Sequence, residues 1–195
     1  DHLLSLIEKL SELKDSRTVR KHEYFDLHSI VKECVNSFHY AAVLGNFEIS
    51  MTPEPPAAIV AGDPVALRQV ISNLLHNAVK FTSEGGKIDV LAYDEEDHAV
   101  VEVRDMGPGI EPDCKQDIFQ KNVSLSQVQV PEKYEKYARP GESEGYAGSG
   151  LGLYICKKIV SSHNGALSVQ SMNNQGATFI VRLPKAGCRS QGPLA

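Results

Sequence analysis

In the stretch Asn73-Leu-Leu-His-Asn-Ala-Val-Lys-Phe81, two asparagines stand four residues apart. On a helix that spacing sets one about 6 Å above the other on a shared face, so both carboxamide oxygens can address one site. Uncharged oxygen ligands suit Mg²⁺, which keeps most of its bonds for water and substrate phosphates. Lys80 lies one turn past Asn77 and adds a positive charge on the same side. Further on, Asp105-Met-Gly-Pro-Gly109 puts a carboxylate where a strand ends and a glycine turn begins. There it can accept a hydrogen bond from the exocyclic amine of adenine, a donor that guanine lacks at that position. A buried charge-assisted bond of this kind contributes roughly 1.5–3 kcal/mol, enough to select the base. Gly107 and Gly109 let the backbone turn tightly and approach a ring without a Cβ in the way. Finally, Gly148-Ser-Gly-Leu-Gly152 opens an apolar helix, where exposed N–H groups form a resting place for phosphate.

Each motif alone has a plainer explanation: a polar helix edge, an Asp-x-Gly turn, a flexible loop. Their combination, in this order, points to a magnesium-bound purine triphosphate. A long polar segment, not a strand, precedes the last glycine cluster, and Gly-x4-Gly-Lys-Ser/Thr is absent from the chain. Dinucleotide-binding and P-loop folds are excluded on that test.

The elements that must position these residues are legible from periodicity. Asp63-Pro64 is a helix start, a capping side chain with proline at the first helical position. From there Leu67, Val70, Ile71, Leu74 and Leu75 face a core, leaving the asparagines on one edge. A preceding helix over about 27–44 turns Ile30, Val31, Cys34, Val35 and Phe38 inward, and 47–51 and 57–60 form short strands around a proline-rich turn. Residues 87–93 and 99–105 alternate apolar and polar about the acidic turn Asp94–Asp97, a hairpin signal. The segment 119–147 is polar and reads as a lid or as disordered. A helix over 151–162 is stopped by His163-Asn-Gly165, and 166–171 and 177–183 close the fold as a second hairpin. From Lys185 the chain reads as a linker stub.

Ahead of all this, Leu3, Leu6, Ile7, Leu10 and Leu13 make an amphipathic stripe that cannot stand alone in water; it calls for a partner helix or, on the plainer reading, packs back on its own domain. The chain reads as a piece of something longer. Its 195 residues suffice for one sizeable domain plus appendages, and its net charge of −5 argues against a nucleic-acid surface. Neither a membrane span nor a signal peptide is apparent. Cys34, Cys114, Cys156 and Cys188 are scattered without CxxC spacing, which points to reduced thiols in the cytoplasm.

The segment Leu67–Thr82 resembles the N box of sensor histidine kinases, Val103–Ile110 their G1 box, Gly148–Ile155 their G2 box, and Gly176-Ala-Thr-Phe179 their closing strand motif. The resemblance implies the GHKL (Bergerat) ATP-binding fold, an α+β two-layer sandwich with a mixed sheet of about five strands and three helices on one face. It implies ATP and Mg²⁺ as ligands, with Asn77 as metal ligand and Asn73 beside it. Lys80 would meet phosphate, Phe81 the nucleoside, and Asp105 adenine, with Gly107, Gly109 and Ile110 shaping that wall. Thr178 would assist through water. Gly148, Ser149, Gly150, Leu151 and Gly152 would cradle phosphate, and the lid residues Lys133, Lys136 and Arg139, chosen by charge alone, would reach it. On this reading residues 1–24 end the second dimerisation helix, 25–185 form the catalytic domain, and 186–195 are a tail.

The implied activity is transfer of the γ-phosphoryl of ATP to a histidine on a phosphoacceptor domain, in its own parent chain or a dimer mate, with a receiver domain downstream. The parent would be a homodimer. None of the seven histidines stands in a phosphoacceptor box. His76, between the asparagines, is rotated off their face and belongs on the surface. Two departures bear on the lid: Ile118-Phe-Gln-Lys-Asn-Val123 lacks the family's second aromatic, and Tyr134, Tyr137 and Tyr146 populate the loop. Two other readings stay open. A GHKL ATPase would place a water-activating glutamate where Asn73 stands, and an amide is no base. A catalytically silent module would keep the fold for regulation.

Overall fold

The computed structural model describes residues 23–51, 57–110, 114–115, 117–120, 151–171 and 175–187. In chain order these form β1 (Glu23–Asp26), α1 (Leu27–Gly45), β2 (Glu48–Met51), β3 (Ile59–Gly62), α2 (Pro64–Phe81), β4 (Lys87–Glu95) and β5 (His98–Asp105). A short 3₁₀ turn (Asp117–Phe119), α3 (Gly152–Ser162), β6 (Ala166–Ser171) and β7 (Ala177–Pro184) complete them. The amphipathic stripe of residues 3–13 and the polar segment expected as a lid lie outside the described residues, apart from its first two positions.

Caps set the helix starts. Asp26 accepts the His28 amide at 3.1 Å, the Ser29 hydroxyl at 2.6 Å and the Ala58 amide at 2.9 Å, so one carboxylate begins α1 and ties down the approach to β3. Asp63 accepts the Val65 and Ala66 amides at 2.9 and 3.1 Å, with Pro64 in the first turn as expected. α1 ends on Asn46 in the left-handed conformation, φ 50°.

Five strands make one mixed sheet in the order β2-β4-β5-β7-β6. β2 runs parallel to β4 and the other pairs are antiparallel. Every core position named for α1 and α2 from periodicity is buried, and Ile88, Val90, Val101, Val103, Phe179, Val181 and Leu183 meet them from the sheet. All three helices therefore cover one face, the two-layer arrangement expected. Alternation sends Asp89, Tyr93, Glu102, Arg104, Thr178 and Arg182 to the other face. There Glu102 accepts the Tyr93 hydroxyl at 2.7 Å and the Arg104 Nε–H at 3.0 Å.

Three boundaries differ from expectation. The strand read at 57–60 runs from Ile59 to Gly62, and as β3 it joins β1 in a separate two-stranded ribbon. β1 was hidden because Glu23-Tyr-Phe-Asp26 is short and follows a charged run, yet Phe25 faces the core beside Val60. Lys185 is not a loose stub, since its amide donates to Asp97 O and the Ala186 amide to Ile59 O, both at 2.8 Å.

Candidate nucleotide-binding site

α2 is the central support. Asn73 and Asn77 are both partly buried on its edge, while His76 is exposed and turned aside, its ring edge-on to Phe38 at 4.8 Å. The Nδ2 of Asn73 donates to the Cys156 Sγ on α3 at 3.7 Å. That commits the donor end of the amide to α3 and leaves the oxygen as the end a cation can use. Cys156 is fully buried, and burial pushes its thiol up to about 12, so it stays a neutral packing group.

About two turns on from Asn73, Lys80 and Phe81 end the helix, with the ammonium 5.5 Å from the Phe81 ring centre. Burial lowers the Lys80 ammonium below lysine's ordinary value, and a poorly hydrated cation gains most from an anionic ligand. Phe81 also abuts the glycine turn: a Cβ built on Gly107 would stand 3.0 Å from Phe81 O and 2.8 Å from Asp105 Oδ1. Close approach thus favours glycine at 107. Gly109 takes φ 77°, which glycine adopts without strain.

Asp105 is held by a double clasp. Its Oδ1 accepts the Gly107 amide at 2.9 Å and the Ala177 amide at 3.2 Å. Among the described residues only this oxygen is engaged by a hydrogen bond, which leaves the other to meet a ligand donor. Burial raises the Asp105 carboxyl above the usual carboxylate range, and the two amides oppose that shift. Ile110 is buried and closes the turn, its amide donating to Ser171 Oγ at 2.8 Å.

α3 begins at Gly152, preceded by Leu151, with no side-chain cap among the described residues. Its first N–H groups are left to the preceding loop, water or a ligand. Gly148, Ser149 and Gly150 lie outside the described residues, as do Lys133, Lys136, Arg139 and the lid tyrosines.

The structure does not bring Thr178 to this place. Thr178 pairs with Arg104, and its neighbours Ala177 and Phe179 face the helices, so it points to the opposite side of the sheet. The period-two alternation of a strand requires this once Phe179 is in the core. Ala177 is the residue that reaches Asp105. Ser171, Gly176, Ala177 and Cys156 were given no place in the site from the sequence, although Gly176 and Ala177 open the closing strand motif. Counting alternation back from Phe179 would have found Ala177; the others depend on contacts between segments far apart in the chain.

Residues 62–187 match the family described as histidine kinase-, DNA gyrase B-, and HSP90-like ATPase, HATPase_c. The chain is 30% identical over 190 residues to the circadian input-output histidine kinase CikA of Synechococcus elongatus, covering 95% of this chain and 24% of that protein. It is 31% identical over 189 residues to the sensor protein EvgS of Escherichia coli K12, covering 92% and 15%. It therefore spans about a quarter or less of the length of these two relatives. Among solved structures, the mycobacterial sensor histidine kinase MprB superposes with a TM-score of 0.66 at 26% identity, over 89% of this chain and 99% of that one. The catalytic domain of histidine kinase ThkA gives 0.65 at 28%, over 84% and 97%. Full-length ShkA, solved in complex with AMPPNP, gives 0.73 at 26%, over 99% and 37%. With the matched segment running from the turn before α2 to the end of β7, the chain belongs to the histidine kinase, DNA gyrase B and HSP90-like ATPase family.

Proposed function

We propose that this chain is the catalytic ATP-binding module of a sensor histidine kinase, presenting Mg-ATP to a histidine on a phosphoacceptor domain. The observation that carries the reading is the clasp on Asp105 beside the end of α2. One carboxylate oxygen is held by two backbone amides, and a Cβ at Gly107 would crowd both that oxygen and Phe81 O. An adenine amine satisfies the second oxygen, and a flat ring needs the room the glycines leave.

The remaining residues fit a triphosphate. Asn77 and Asn73 offer neutral oxygens to a divalent ion, and Lys80 offers a positive charge. Among the described residues no group of three or more His, Cys, Asp or Glu is placed to hold a metal. Mg²⁺, when bound, neutralises phosphate charge. In the transfer, the bond between the γ-phosphorus and the bridging oxygen breaks, a phosphorus–nitrogen bond forms on a neutral imidazole, and ADP departs. The chain's part is to bind, orient and neutralise, as phosphoryl transfer chiefly requires. Asn73 in place of a carboxylate removes the base that would activate water, which favours transfer over hydrolysis. A phosphoacceptor domain, a receiver domain and a dimeric parent are the partners this reading entails. Among the described residues no helix is long and apolar enough to cross a membrane.

The test is to give the chain γ-labelled ATP and Mg²⁺ with a separately made phosphoacceptor domain. Label on the acceptor histidine, lost in Asn77→Ala, is the expected result. Binding without transfer would instead identify a silent module, and release of free phosphate alone an ATPase.

A further inference from the structure

We propose that Ser171 is a positioning residue that sets the base selectivity of the site, acting through the Asp105–Ile110 turn. The inference rests on the reading that Asp105 meets adenine. Ser171 is the last residue of β6 and is buried. Its Oγ accepts the Ile110 amide at 2.8 Å and donates to Gly176 O at 2.6 Å. A serine hydroxyl has one donor and can accept as well, so a single side chain satisfies two buried backbone groups. Without it, both would be orphaned.

Both partners bear on Asp105 from opposite sides. Ile110 closes the turn that starts at Asp105. Gly176 lies against the start of the same turn, where a Cβ would stand 1.9 Å from Asp105 O, and its φ of 75° favours glycine. The next amide along, that of Ala177, is one of the two held by Asp105 Oδ1. Ser171 thus fastens the end of the base-reading turn to the strap that grips its beginning. Base choice depends on the direction of one hydrogen bond, whereas phosphate binding does not. Loosening the fastening therefore erodes the preference for adenine more than the grip on the triphosphate.

The experiment measures dissociation constants for Mg-ATP and Mg-GTP by calorimetry on the wild-type chain, Ser171→Ala, Ser171→Cys and Asp105→Asn. The preference for ATP is expected to fall about tenfold in the Ser171 variants, with GTP binding within about twofold of wild type. A preference unchanged in a folded Ser171 variant, while Asp105→Asn abolishes it, would overturn the role of Ser171 and leave the nucleotide reading intact. A wild-type chain with no preference for ATP would sink both. A second measurement needs no variant. In the wild type, ATP is expected to slow hydrogen exchange at the Ile110 amide about tenfold more than GTP does. Equal slowing by both nucleotides would overturn the proposal.

Discussion

The amide of Asp63 donates to Nε2 of His163 at 2.9 Å, joining the cap of α2 to the residue that ends α3. On the other ring nitrogen, Nδ1–H donates to Ile159 O at 2.7 Å, which fixes the tautomer. The ring lies so close to the backbone that a Cβ at Gly62 would stand 2.1 Å from its Cδ2. These contacts set how α2 and α3 meet, and hence where Asn73 finds Cys156. Gly62→Ala should destabilise the chain by about 1–3 kcal/mol through overpacking. His163→Ala should cost about 1–3 kcal/mol by orphaning the Asp63 amide. Removing the ring also makes room for the methyl group, so the double variant should lose clearly less than the sum. Urea unfolding of the four proteins checks this; strict additivity would show that the ring and Gly62 do not compete for space.

Asp105→Asn separates stability from function. Burial raises the native Asp105 pKa, so the native state holds this proton more tightly than the unfolded chain does. The associated stability is fully present below the unfolded value near 3.9 and is lost as pH rises through the native value. An asparagine keeps the acceptor for Gly107 and Ala177 but carries no buried charge. The variant should therefore match wild type at low pH and melt at a higher temperature at pH 7, while losing about tenfold or more in ATP affinity. Thermal melts between pH 3 and 7 follow the first effect; a wild type that gains on the variant as pH rises would refute it.

Much of this architecture could be read from the chain because its signals are local. Asp63-Pro64, the Leu67–Leu75 periodicity and the alternation in β4 and β5 depend on neighbours a few residues away. What could not be read arises from pairings between distant segments. β3 carries the β-branched residues of a strand, yet its partner, β1, lies more than thirty residues earlier in the chain. Ser171 looks like an ordinary strand serine until Ile110 is folded onto it. Thr178 was placed in the site by its motif, and a single count of alternation from Phe179 moves it to the other face.

Thr178→Ala should accordingly leave ATP affinity within about twofold of wild type. Its side chain shares a face with Arg104 and Arg182, away from α2. Substituting the neighbouring position is expected to differ: Ala177→Pro removes the amide that holds Asp105 Oδ1. That change should weaken ATP binding about tenfold, the consequence of losing one hydrogen bond to a partly buried carboxylate. Competition with a fluorescent ATP analogue measures both. A tenfold loss in Thr178→Ala would return that residue to the site.

The sheet face opposite α1, α2 and α3 offers a stability prediction independent of nucleotide. Glu102 is 7% exposed, and burial pushes its carboxyl up, but the Tyr93 hydroxyl and the Arg104 guanidinium outweigh that and bring it below the usual range. In return, burial and the Glu102 carboxylate push the Tyr93 phenol up to about 12. A depressed carboxyl contributes stability that is present above the unfolded value near 4.3 and is lost as pH falls through the native one. Glu102→Gln should therefore be less stable than wild type at pH 7 by about 1 kcal/mol, a modest figure because Arg104 is half exposed and screened by water. As pH falls through the native value the two proteins should converge. Tyr93→Phe should show a similar loss at pH 7, with ATP affinity unchanged in both variants, because the whole cluster lies across the sheet from Asn73 and Asp105. Denaturant midpoints at pH 3, 5 and 7 decide the matter: a gap that widens on acidification would mean the carboxylate is strained rather than stabilised by its partners.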